Sequence, residues 1–171
     1  MQTLEHTNQH AVDLHWLAFL LTGCCETGID VVVEAVASQD EDDSFFSDWM
    51  LAWSRRVVIG KALAAVRGEL AASARRMQRR HTAPAELPPP DWSLDRRTTK
   101  VDLEQALLAI DTFPRAATLL LVFEGVPLAD AATLLDVDPA EVRRGQAIGV
   151  QQLTANLARM QGWASAFSKA S

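Results

Sequence analysis

Arginine and lysine supply phosphate contacts and bidentate contacts to guanine, so their placement is the first chemistry to read from this sequence. Residues 55–80 hold eight bases against a single acid, Glu69, whereas residues 1–54 hold ten acids and no Lys or Arg. Residues 81–100 balance at three and three, and residues 101–171 hold eight acids and five bases, for a net charge of −6. An acidic chain does not engage nucleic acid through its overall field; a local basic surface is required, and 55–80 is the strong candidate. A second basic pair, Arg143-Arg144, follows Asp136-Val137-Asp138-Pro139-Ala140-Glu141. There, Asp138 suits a helix cap, Pro139 the first helical position, and Glu141 the reciprocal position of a capping box.

Catalytic and metal chemistry find little support. His6, His10 and His15 lack the i, i+4 pairing with a glutamate that a helical zinc site needs, and the remaining histidine is His81. Cys24 and Cys25 are adjacent, which suits neither a structural disulfide nor a zinc site, and nothing in the sequence orients either with a histidine as a nucleophile. The reading is therefore no catalytic residue, no metal and no cofactor, in a reducing, cytoplasmic setting. No apolar run reaches the roughly 18 residues of a membrane span, and the polar start MQTLEHTNQH is not a secretory signal.

The elements that must position these residues are helical. Tyr is absent, no segment alternates cleanly, and apolar residues recur at helical spacing. Leu14, Leu17, Ala18 and Leu21 form one stripe; Ile29, Val32, Val33 and Val36 form a second, with Gly23 and Gly28 bracketing the connection. The acidic run Gln39–Asp43 reads as a loop. A long helix is expected from about Ser44 to Arg80, with Trp49, Trp53, Val57, Leu63, Val66 and Leu70 available for burial. Pro84, Pro88, Pro89 and Pro90 then stop helix formation and favour an extended spacer. Further helices are expected over 101–110, 114–124, 128–135 and 139–160, with Pro114, Pro127 and Pro139 each opening one. The expected fold is all-α: a helical domain over 1–81, a Pro-rich linker over 82–100, and a second helical domain over 101–171. Residues 128–135 and 139–160, separated by a three-residue turn, have the length relation of a helix-turn-helix, with Val137 and Val142 packing inward.

The ordered set Ala106-Leu107, Phe113-Pro114-Arg115, Leu119 to Leu128 with its Glu124-Gly125, Ala131-Ala132, Leu134 to Val137, Val142-Arg143 and Leu153 resembles region 4 of the sigma-70 family, most closely its extracytoplasmic-function group. Leu17–Gly23, Asp30, Glu34 and Trp49 resemble region 2 of the same family. The resemblance spans most of 14–160 and implies a transcription initiation factor whose partners are core RNA polymerase and promoter DNA. It leaves room for an anti-sigma or other regulatory protein, and implies no membrane. By this resemblance Asp30 and Glu34 contact the polymerase, while Arg143, Arg144, Gln146 and Ala147, with Arg55, Arg56 and Lys61, contact DNA.

The sequence also departs from that pattern. Gly145, Ile148 and Val150 stand where the family often has arginine. Val33 replaces a usual glutamine, Arg56 an asparagine and Gly60 an aspartate. A helical wheel places Val142, Gly149, Leu153, Leu157 and Met160 on one buried stripe, leaving Ile148 and Val150 mainly outside it for a protein partner. Two alternatives therefore stay open. One is a degenerate sigma-like interaction module with little or no DNA binding; the other is a plain helix-turn-helix regulator acting as a dimer on a palindrome.

Overall fold

The computed structural model describes residues 2–37, 47–79, 87–88, 92–93 and 98–162. Among these every regular element is helical: α1 (Gln2–Thr22), α2 (Cys25–Ala37), α3 (Ser47–Ala65), α4 (Arg67–Arg79), α5 (Lys100–Leu108), α6 (Thr112–Thr118), a π-helical segment (Leu119–Phe123), α7 (Leu128–Leu135) and α8 (Pro139–Met160). The all-α expectation holds. The acidic run Gln39–Asp43, the prolines Pro84, Pro89 and Pro90, and the Trp49 side chain lie outside the described residues. No helix among the described residues is long and apolar enough to cross a membrane.

The chain forms two compact units, Met1–Gly68 and Glu69–Ser171. The division falls earlier than the proline-rich segment, so residues 69–79 belong with the C-terminal helices. The long helix expected over 44–80 is two helices, interrupted at Val66. Buried partners explain the allegiance of α4. Leu70, Ser73, Ala74 and Met77 are buried, and the Ser73 hydroxyl accepts a 2.9 Å hydrogen bond from the Phe113 N–H at the start of α6.

In the first unit α1, α2 and α3 pack mutually. The expected stripe on α1 is the core: Leu14, Leu17, Ala18 and Leu21 are buried, joined by Leu20. From α3 come Val58, Ile59, Ala62 and Leu63. The expected stripe on α2 needs correction. Ile29 and Val33 face outward and Val32 is half-buried, while Gly28, Val31 and Ala35 face the core. The cause is close helix approach: a Cβ on Gly28 would lie 3.1 Å from the Phe19 backbone nitrogen. Small residues let α1 and α2 come together there, and that contact outranks the bulkier Ile/Val stripe. Gly28 is thus inside α2 rather than in the connection, which is only Gly23-Cys24.

In the second unit α6 is the centre. All of Thr112–Thr118 is buried, as are Leu119 and Leu120. Its most extensive partner is α8, which also packs against α5 and α7. Asp111 caps α6 by accepting from the Thr112 N–H, so Pro114 lies inside the first turn rather than opening it. Pro127 is the residue before α7, and of the three prolines Pro139 alone opens a helix as expected. Arg115 is buried, and its Nη1 donates to the Ile110 carbonyl at 3.0 Å and the Leu108 carbonyl at 3.4 Å. These are carbonyls at the end of α5, where a cation complements the helix dipole. Burial pushes the Arg115 pKa down from its ordinary value, and the Asp111 charge opposes that shift.

Candidate nucleic-acid interface

The surface that the two-helix reading requires is built from α7, the turn Asp136–Asp138 and α8. Ala131, Ala132 and Leu135 bury one side of α7. Asp136 then adopts a left-handed conformation (φ 55°, ψ 47°), and the Val137 N–H returns to the Ala132 carbonyl at 3.2 Å. This closure satisfies carbonyls left open at the helix end and turns the chain sharply. Asp138 starts α8 by accepting from the Ala140 N–H at 2.7 Å. The reciprocal box expected with Glu141 is replaced by another contact: the Glu141 carboxylate accepts from the Gln78 side chain of α4. A reciprocal box forms elsewhere, where Thr99 and Asp102 cap α5 and hold the Asp102 carboxyl below its ordinary pKa.

Val142, fully buried, together with Gly145 and Gly149, turns the inner side of α8 toward α6. An added Cβ on Gly149 would overlap Thr118 Oγ1 and lie 2.5 Å from the Pro114 carbonyl oxygen; on Gly145 it would lie 2.8 Å from Phe113 Cε1. Gly145 is therefore a packing residue, and no arginine side chain fits there. Beyond Gly149 the wheel changes. Ala155, Leu157 and Ala158 are buried, Leu153 is half-buried and Met160 is exposed, because this half of α8 also serves α5. Asn156 makes one of those contacts, donating to the Ala106 carbonyl at 2.8 Å.

At roughly 100° per residue, the side of α8 opposite Val142, Gly145 and Gly149 carries Ala140, Arg143, Arg144, Ala147 and Gln151. Arg143, Arg144 and Ala147 are exposed and Gln146 is half-buried. Val150 is exposed on the same helix, and Ile148 is half-buried. Four of the expected nucleic-acid residues are thus brought together on the first turns of one helix.

No family model, curated protein or solved structure matches this chain.

The candidates in the first unit are arranged differently. Asp30 and Glu34 are exposed one turn apart on α2, beside the exposed Ile29 and Val33. Lys61 of α3 reaches across to Glu34, with Nζ 2.5 Å from Oε1. One residue expected to contact DNA and one expected to contact polymerase therefore pair with each other. Arg56 is exposed, Arg55 is half-buried, and Trp53 is half-buried on the same helix. The basic stretch does not stay in one unit: Arg55, Arg56, Lys61 and Arg67 lie in the first, and Arg75, Arg76 and Arg79 in the second. Arg76 is committed, binding the Asp111 carboxylate through Nε at 3.1 Å and Nη2 at 2.7 Å and Glu69 at 2.6 Å. These bonds raise the Arg76 pKa, and the Arg76 guanidinium holds the Asp111 carboxyl below its ordinary range.

Three features had no clear sequence signal. Gly145 reads as a lost arginine and Gly149 as one member of a buried stripe, yet the close approach of α6 and α8 depends on both lacking a side chain. The Arg76–Asp111 pair joins residues 35 apart. The cysteine pair also gains a neighbour: Cys25 Sγ lies 3.9 Å from His15 Nε2, so a thiol is placed against a histidine after all.

Proposed function

We propose that this chain is a sigma-like transcription initiation factor that binds promoter DNA through the first turns of α8 and core RNA polymerase through α2. One observation supports this most directly: α7, a three-residue turn and a capped α8 present Arg143, Arg144 and Ala147 from one side of a helix whose other side is buried, with the half-buried Gln146 at the margin. A helix held in this way can lay its N-terminal residues in a major groove, with the two guanidinium groups available to phosphate or guanine. Two exposed arginines are few, so the affinity is expected to be modest and steeply salt-dependent. The sequence resemblance to regions 2 and 4 of the sigma-70 family directs the choice of partner. The experiment is a pull-down with core polymerase followed by run-off transcription. Retention on core polymerase at low salt, with transcription from a bound promoter, supports the reading; no retention removes the polymerase claim.

A second reading is a sigma-like interaction module with little DNA binding. It is favoured by the pairing of Lys61 with Glu34 and by the exposed Val150, which stands where phosphate-binding arginine is expected. A salt titration separates the two. Absence of DNA affinity at about 50 mM salt, with a protein partner retained, supports the module.

A further inference from the structure

The turn between α1 and α2 holds its two thiols in different environments. Cys24 is the residue before α2, and its carbonyl accepts the helix's opening hydrogen bond from the Gly28 N–H at 2.9 Å. The Thr22 hydroxyl braces the turn, donating to the Ala18 carbonyl at 2.8 Å and lying 3.3 Å from the Cys24 N–H. Gly23 provides the reversal with φ at 73°. Hydrogen bonding from the Thr27 N–H and hydroxyl and from the Glu26 N–H, at the start of α2, lowers the Cys24 pKa, against the opposing effects of burial and the Glu26 charge. Cys25 has instead a histidine nitrogen 3.9 Å from its sulfur. Both thiols are exposed.

We propose that Cys24 and Cys25 form a reversible oxidation site for hydroperoxides, with Cys24 the attacking thiol and Cys25 the resolving one. The Cys24 thiolate attacks the distal peroxide oxygen. An S–O bond forms, the O–O bond breaks, and the leaving oxygen departs as water or an alcohol after taking a proton. Sulfur has lost two electrons and the peroxide has gained them, leaving a sulfenic acid at Cys24. His15 Nε2 then accepts the Cys25 proton, and the Cys25 thiolate attacks the Cys24 sulfur. The S–S bond forms, the S–O bond breaks, and water leaves with that proton. Adjacent Cα atoms lie about 3.8 Å apart across a trans peptide, below the usual disulfide span, so the product is strained and readily reduced by thiols. Closure also takes the charged sulfur away from the first amide groups of α2. The inference is independent of the nucleic-acid reading.

The test treats the reduced full-length chain with hydrogen peroxide and follows intact mass together with a sulfenic-acid trap. The wild-type protein is expected to lose two hydrogens as a monomer, reversibly with thiol. Cys25→Ser is expected to accumulate trapped sulfenic acid at Cys24. Cys24→Ser is expected to react at least about tenfold more slowly, because the favoured thiolate is gone while serine, a good N-cap, keeps α2 intact by circular dichroism. His15→Gln should slow closure without slowing trapping. Equal rates for the two cysteine variants, or an intermolecular disulfide as the main product, would overturn the proposal.

Discussion

Lys61 and Glu34 hold each other at 2.5 Å across α2 and α3, although the sequence resemblance assigns each to a different partner. Glu34 is largely exposed, so the pair contributes little to folding, under about 1 kcal/mol. Its consequence lies in availability. Glu34→Ala frees the ammonium and removes one negative charge. Its unfolding midpoint should barely move, while DNA affinity at low salt rises and retention by core polymerase falls. Unchanged DNA affinity would place Lys61 away from the nucleic acid.

Arg143 and Arg144, both exposed on the first turns of α8, are the residues on which the proposed groove contact rests. Replacing both with alanine should weaken binding to every DNA sequence tested. It should also lower the slope of log affinity against log salt by about one for each phosphate no longer neutralised. Fluorescence anisotropy at several salt concentrations measures this. An unaltered slope would remove both residues from the interface.

Gly149→Ala should destabilise the second unit by about 1–3 kcal/mol, since Thr118 and the Pro114 carbonyl must move to admit one methyl group. Gly145→Ala should cost less, because the atom it meets first is a ring edge of Phe113. Urea unfolding of the two variants tests that order, and the reverse order would contradict the packing described.

Asp111 confers acid sensitivity. Its carboxyl is held below the ordinary range chiefly by Arg76, so its contribution is fully present above the unfolded-state value of about 4. That contribution is lost as pH falls through the lower folded-state value. Asp111→Asn should therefore be less stable than wild type near neutrality, and the difference should vanish in acid. A constant difference across that window would exclude the linkage.

Arg115 closes the end of α5 from within the core. Arg115→Met retains an unbranched apolar stem but abandons two carbonyls, at an expected cost of about 1.5–3 kcal/mol in urea unfolding. A smaller loss would mean that α5 finds another closure.

The parts of the fold legible in sequence were those decided locally. The bounds of α7 and α8 follow from Asp138, Pro139 and the apolar spacing before them, and the α1 core follows from its stripe. The face of α2 was not legible, because periodicity favours Ile29 and Val33 while close packing selects Gly28, Val31 and Ala35. The allegiance of α4 was also hidden. Prolines mark where a helix cannot continue, but the contacts of Ser73 with Phe113 and Arg76 with Asp111 are made far along the chain. At the candidate interface the arginines were visible, whereas their pairing state and the inward setting of Gly145 depended on tertiary neighbours.

The absence of side chains at Gly145 and Gly149 leaves α8 without room to roll about its axis. Retuning the proposed contact by substitution is then confined to Ala140, Arg143, Arg144, Ala147 and Gln151, on the outer side of the helix. Affinity and geometry are thereby uncoupled: the outer row can be rewritten one residue at a time while the seat of the helix stays where it is.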